Sequence, residues 1–225
     1  TEQMPSLPPR IRRREWYEKF RWFHSSEGFL AIGGRDKTQN EILIKRHMEP
    51  KDLVFHAEIV GAPFVLLKTG GKQPSENTFY EAAQFAASYS KAWKEGLGSI
   101  DVYWVRPDQL SKSPPSGEYL SKGAFMIYGS RNYIRNVPLE VAIGLIKIDG
   151  QIQIIGGPPQ AIAKQTSIYV RIIPGNESSG RLAKRIRNIL AKMLPEEERK
   201  EAQKIPLEEI QRFIPSGRGA ISRKF

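Results

Sequence analysis

Residues 78–95 constrain the fold more than any other stretch of the chain. Ala82, Phe85, Ala86, Tyr89 and Trp93 recur at helical spacing and form one apolar stripe. Its alanines carry no bulk that would hold a partner at a distance, so the helix is expected to lie close against a sheet. Thr78 with Glu81 has the form of a capping box, and Gly96 and Gly98 stop the helix.

Short runs of period 2 supply the sheet. Strands are expected at 22–25 and 29–32 around Ser26-Glu27-Gly28, at 53–59 and 63–68, at 100–106 and at 124–128. Asp149-Gly150 between 140–148 and 151–155 is a strong two-residue hairpin signal. A further strand at 167–173 is closed by Pro174-Gly175. Helices are expected at 13–21, at 37–48 behind an Asp36/Gln39 capping box, at 180–194, from Glu196 and at 206–214. Residues 107–123 show no periodicity, and long structureless loops in compact domains are often functional. The fold class is α+β: a mostly antiparallel sheet of hairpin-connected strands packed with a few helices. Residues 1–13 read as a basic tail ending in Arg10, Arg12 and Arg13, and 216–225 as a second one.

Composition narrows the function. The 225 residues hold 35 Lys and Arg against 24 Asp and Glu, a net charge of +11, which hints at a polyanionic partner. There is no cysteine, which removes disulfides, thiolate metal sites and thiol nucleophiles. No apolar stretch reaches the roughly 18 residues a membrane span needs, and no signal peptide is visible, so a cytoplasmic location without membrane contact is expected. The chain begins at Thr1, as a piece of a longer protein would.

Five places carry candidate chemistry. Gly33-Gly34-Arg35, at a strand-to-helix junction, either seats a phosphate on free amides and a guanidinium fork or simply makes a tight turn. In the second case Arg35 pairs with an acid such as Glu41. His56 shares one face of its strand with Glu58, away from Phe55. With Asp36 and Glu118 it is the basis of an alternative reading, a metal-dependent RNA-processing or RNA-modifying enzyme, although a structural or surface histidine is the simpler account. Residues 107–122 mix amide, hydroxyl and ammonium donors, including Lys112 and Lys122, that suit sugar and phosphate oxygens. Tyr128 to Tyr133 then interleaves aromatics with Arg131 and Asn132, either as a base-stacking platform or as a core strand ending in a polar turn. Finally, the helix at 180–194 turns Leu182, Ile186, Ile189, Leu190 and Met193 one way. Arg181, Lys184, Arg185, Arg187 and Lys192 face the other way with no acid among them.

Several blocks resemble the NFACT-R domain. They are Trp16 to Phe23, Gly33-Gly34-Arg35-Asp36 with Asn40-Glu41, His56-Ala57-Glu58 with Gly61-Ala62, and Ser90-Lys91-Ala92-Trp93. Tyr103-Trp104-Val105, Gln109 to Lys112, Ser116 to Leu120, and Gly123 to Gly129 with Arg131-Asn132 continue the series in family order. The resemblance covers about 14–135, and 136–225 is similar to the C-terminal extension of archaeal NFACT proteins. It implies an RNA-binding domain at 14–135, with 136–225 packed on it as a β-rich and helical extension. It also implies partners among tRNA and large-subunit rRNA, in a factor that recognises obstructed large ribosomal subunits and supports tRNA-dependent tailing of the stalled chain. Eukaryotic members often carry a second histidine four residues after the one matching His56; here that residue is Val60.

The sequence thus reads as an RNA-binding module, not an enzyme, with no cofactor, metal site or catalytic residue. Arg35, Lys112, Lys122, Arg131, Asn132, Arg181, Lys184 and Arg185 are the expected nucleic-acid contacts. Arg35 is expected to act locally through its planar fork, and the late helix as a diffuse field. Trp22, Trp93 and Trp104 are expected in the core.

Overall fold

The computed structural model describes residues 14–223; the basic run at Arg10–Arg13 lies outside them. Among the described residues, twelve strands and seven α-helices form a mixed α+β architecture. Six strands make the larger sheet, in the order β1-β2-β4-β3-β5-β8. They are β1 (Arg21–His24), β2 (Leu30–Gly33), β3 (Leu53–Ala57), β4 (Val65–Lys68), β5 (Ser99–Val105) and β8 (Asn132–Pro138). Every neighbouring pair is antiparallel. A two-stranded ribbon pairs β6 (Leu110–Ser111) with β7 (Met126–Ile127). The second sheet, in the order β10-β9-β11-β12, contains β9 (Val141–Ile148), β10 (Gln151–Gly157), β11 (Tyr169–Ser178) and β12 (Arg218–Ile221).

The larger sheet is covered on both faces, and its strands alternate accordingly. Leu53, Phe55 and Ala57 of β3, with Val65 and Leu67 of β4, join Ala82, Ala83, Ala86 and Ala87 of α2 (Glu76–Ser88) in one core. Val54 and Leu66 turn to the opposite face, where Leu43 and Ile44 behind α1 (Lys37–Ile42) and Phe20 close over them. The first core runs on without a break into the second sheet and its helix: Phe23, Phe85 and Trp93 share it with Ile143, Ile172, Leu182 and Ile186. Residues from both sides of position 135 therefore build one hydrophobic interior.

The helices expected at 78–95 and 37–48 are interrupted. The stripe of 78–95 divides into α2 and α3 (Lys91–Lys94), because the Ser90 side chain caps the second helix at Ala92 N. The Tyr89 hydroxyl, at the break, donates to Phe213 O at 2.7 Å. Thr78 and Glu81 do not cap α2, whose N-cap is Ser75. Both point instead at the β1–β2 hairpin: Thr78 Oγ1 donates to Glu27 Oε1 at 2.6 Å, and the Glu81 carboxylate accepts from Ser26 N at 3.0 Å and Ser26 Oγ at 2.9 Å. The helix expected at 37–48 is α-helical to Ile42 and continues as a π-helical turn, Leu43–His47. Trp16–Lys19 is only a 3-10 turn.

Four strands and helices lacked a readable pattern: β6, β8, α4 (Pro159–Gln165) and β12, which falls in the expected basic tail. β11 is not closed at Pro174-Gly175; it continues to Ser178 through a register shift between Ile173 and Glu177. The Asp149-Gly150 hairpin is present, with φ of 49° and 78° as a type I′ turn requires. The basic helix is α5 (Ser179–Met193), which buries Leu182, Ala183, Ile186 and Leu190. It is followed by α6 (Glu196–Gln203) and α7 (Leu207–Gln211). Trp93 is core, while Trp22 and Trp104 are half-buried. Among the described residues no helix is long and apolar enough to cross a membrane.

Trp93 joins the two halves directly, through the shared core and through its indole N–H, which donates to Arg218 O at 2.8 Å. Trp93→Ala should destabilise the chain by about 3–5 kcal/mol. Chemical denaturation followed by far-UV and near-UV signals should show one coincident transition moved to lower denaturant. Separate transitions, with only one of them moved, would contradict a common core.

Candidate nucleic-acid interface

An open cleft of about 810 Å³ lies on the α1 side of the larger sheet. Its floor is aromatic. His56 of β3 and Tyr103 of β5 are register partners, and Phe64 precedes β4. The Tyr103 hydroxyl and His56 Nδ1 share a hydrogen bond of 3.3 Å, and the His56 ring lies 4.7 Å from that of Phe64. Burial pushes His56 below its usual pKa, so the imidazole is neutral at neutral pH, and burial likewise raises the Tyr103 hydroxyl to about 12. Arg131 lies over the Tyr103 ring, 4.6 Å from its centroid.

The walls are basic. Arg21, Arg35 and Lys37 line one end, Lys91 and Lys94 come from α3, and Lys122 and Arg131 complete the lining. These are seven cations; Asp36 is the single carboxylate among the lining residues. None of the seven is in an ion pair with a described residue.

Asn40 and Glu41 hold the walls together. Asn40 is buried, accepting from Phe64 N at 2.7 Å and donating to Gly123 O at 2.7 Å. Glu41 accepts from Gly123 N at 2.8 Å and from Lys112 Nζ at 3.3 Å, and pairs with Lys45 at 2.7 Å. Gly34 belongs to the same junction: a Cβ there would come within 2.7 Å of Asn40 N.

The structure brings Arg35, Lys122 and Arg131 into the cleft, with His56 and Asp36. The Gly33-Gly34-Arg35 amides are not a free phosphate cradle. Arg35 N donates to Gln39 Oε1, Gln39 N to the capping Asp36 carboxylate, and Asn40 N to Asp36 O. The glycines serve close packing, against Phe85 and Val65 for Gly33 and against Asn40 for Gly34. Nor does Arg35 pair with Glu41, whose partners are Lys45 and Lys112.

Lys112 does not line the cleft; it is held by Glu41, Ser121 O and Ala124 O. Asn132 lies on β8, outside the cleft, and donates to Trp104 O at 3.2 Å. Arg181, Lys184 and Arg185 form a separate exposed surface on α5. The acid-free face does not stay unpaired: Arg185 is salt-bridged to Glu177 of β11, and Arg187 donates to Ile205 O at 2.8 Å. Glu118 is exposed in the 112–123 segment, away from the cleft lining. Among the described residues no three His, Asp or Glu side chains come together as a metal site, so His56, Asp36 and Glu118 form no ligand set.

Sequence reasoning passed over Arg21, Lys37, Lys91 and Lys94. Lys91 and Lys94 are spaced i, i+3 beside Trp93, a signal that was available. Arg21 alternates with buried Phe20 and half-buried Trp22 and had no such pattern.

A basic cleft over a largely buried aromatic floor is an arrangement suited to nucleic acid, whose phosphates take the walls. Residues 19–129 match the family model described as NFACT protein RNA binding domain, and the chain carries that domain of the NFACT family. It is 47% identical over 184 residues, 81% of its length, to the archaeal Rqc2 homolog aRqcH of Methanocaldococcus jannaschii. It is 45% identical over 138 residues, 61% of its length, to the ribosome quality control complex subunit NEMF homolog of Drosophila melanogaster. Against the Rqc2 homolog RqcH of Bacillus subtilis it is 28% identical over 116 residues, 52% of its length. The chain spans only 27%, 14% and 19% of these relatives.

Glu41 gives the junction a pH signature. Hydrogen bonds from Lys45, from Gly123 N and from Lys112 draw its carboxyl from the usual 4.5 down to about 2. A carboxyl depressed in the folded state stabilises fully above its unfolded value and loses that contribution as the pH falls through the folded one. Glu41→Gln should therefore lower the Tm at neutral pH, with a deficit that shrinks between about pH 4.5 and 2. Melting curves of both proteins across that range test this; a deficit independent of pH would remove Glu41 from the role.

Proposed function

We propose that the chain is the RNA-binding module of a ribosome-associated quality control factor, and that the cleft receives the sugar–phosphate backbone of tRNA or large-subunit rRNA. The observation that carries the reading is the excess of unpaired cations over acids around the aromatic floor. Lys and Arg placed in this way take phosphates, and the exposed guanidinium of Arg131, backed by the buried Tyr103 ring, suits a stacked base. The names of the relatives support the quality-control setting. Residues 14–135 form the RNA-binding domain in this reading, and 136–225 an extension packed on it. The reading is of a binding module and assigns no catalytic group. Arg35, Lys122 and Arg131 are the local contacts. Arg181, Lys184 and Arg185 add a second positive surface that attracts RNA without fixing it.

If about five phosphates are neutralised, the affinity for tRNA should fall roughly a hundredfold between about 50 and 200 mM salt. Lys91, Lys94 and Lys122 changed together to Gln should weaken binding and flatten that salt slope by about two to three ion equivalents. Arg181, Lys184 and Arg185 changed together should have a smaller effect. Filter binding with tRNA, large-subunit rRNA fragments and anionic vesicles measures all three. Affinity unchanged by salt, or a preference for vesicles, would sink the reading.

A further inference from the structure

At one end of the cleft, three arginines from distant parts of the chain meet. Arg21 comes from β1, Arg35 from the turn after β2, and Arg212 from the end of α7. With Tyr89 they line one small recess backed by Phe20, Phe85 and Phe213. Arg21 is fixed in place: its guanidinium lies 4.3 Å from the Tyr89 ring centroid, and Nη1 donates to Arg212 O at 2.7 Å. Tyr89 is fixed in turn by its bond to Phe213 O. The guanidinium groups of Arg35 and Arg212 donate to no described residue and pair with no described carboxylate.

Three guanidinium groups against an apolar wall repel one another. Burial lowers the pKa of Arg21; burial, and then the charges of Arg21 and Arg212, lower that of Arg35. Only Tyr89 opposes these effects; no described carboxylate does. Elsewhere the protein neutralises its architectural cations, as at Lys68 with Asp52 and Lys112 with Glu41. Here the counter-charge is missing, while nearly all the N–H donors of the three forks remain unused.

We propose that Arg21, Arg35 and Arg212 together hold one phosphate group, which supplies the missing counter-charge. A planar carboxylate is satisfied by one fork, whereas a tetrahedral phosphate offers oxygens to donors from several directions. The proposal rests on the reading of the cleft as an RNA site and adds the point at which one phosphate is fixed. It also gives the extension a function. Arg21 and Arg35 lie within the matched domain, residues 19–129, and Arg212 does not, so the site is complete only when the C-terminal part is packed in place.

The test uses the whole chain and inorganic phosphate, with ionic strength held constant by chloride. At about tenfold excess over a millimolar Kd, phosphate should raise the Tm by roughly 2–5 °C. Arg35→Gln and Arg212→Gln, both at exposed positions, should abolish the rise and leave the Tm in chloride equal to or above that of the unsubstituted chain. Arg35→Lys should restore part of it, and Lys200→Gln on α6 should keep it whole. A rise no larger than that given by chloride, or an equal rise in the Gln variants, would overturn the site.

A second arm compares a 5′-phosphorylated RNA oligonucleotide with its 5′-hydroxyl twin. A preference that Arg35→Gln removes identifies the bound group as a chain end. Equal binding, weakened about five- to tenfold in both by Arg35→Gln, identifies it as an internal phosphodiester. Salt-sensitive RNA binding that Arg35→Gln leaves intact overturns the arginine site and spares the cleft reading. A phosphate response without any RNA binding overturns the cleft reading and spares the site.

Discussion

A buried amide next to a carboxylate sets the shape of this protein's candidate site. Asn40 satisfies Phe64 N and Gly123 O at once, and Glu41 satisfies Gly123 N while neutralising Lys45 and Lys112. An unpaired polar group at Asn40 would cost about 1–3 kcal/mol, so α1, the start of β4 and the 112–124 segment are held to one arrangement. That arrangement leaves the cleft open with Lys122 on its wall. The segment without sequence periodicity is thereby ordered at its ends by side chains of α1, with little secondary structure of its own.

The sheet beneath the cleft can turn His56 and Tyr103 toward it because its opposite face is closed by a helix of small residues. Ala82, Ala83, Ala86 and Ala87 let α2 sit directly on Phe55 and Ala57, which fixes the alternation of β3 and therefore the side on which His56 emerges. A one-residue slip of β3 would bury His56 against α2 and put Phe55 into the basic cleft. The core that secures α2 thus also secures the aromatic floor.

Much of this was legible in residues with local consequences. The alanine stripe announced a helix on a sheet, Asp149-Gly150 announced its hairpin, and Asp36 announced the cap of α1. What stayed hidden depended on partners far along the chain. Thr78 and Glu81 have the spacing of a cap, yet their strongest partners are Glu27 and Ser26 in another hairpin, and tertiary hydrogen bonds outweigh the local motif. Lys112 and Lys122 look alike in sequence, but one faces Glu41 and the other solvent. Arg212 carried no signal, because its position beside Arg21 exists only once α7 has packed.

The difference between paired and unpaired cations gives the net charge of +11 its meaning. Lys45, Lys68, Lys112, Arg135, Lys147 and Arg185 each face a carboxylate; together with the hydrogen bonds around them, these pairs tie strands, helices and loops together. The surplus is not spread evenly over what remains, since seven cations that pair with no described carboxylate surround one cleft. Charges gathered above a low-dielectric aromatic floor focus a stronger field than the same charges dispersed over the surface, and they raise the local concentration of a polyanion before any contact forms. Self-repulsion is the cost, borne by elements that the double-sided core already holds rigid. The same core that fixes the register of β3 therefore lets a concentrated, uncompensated positive field persist in the free protein.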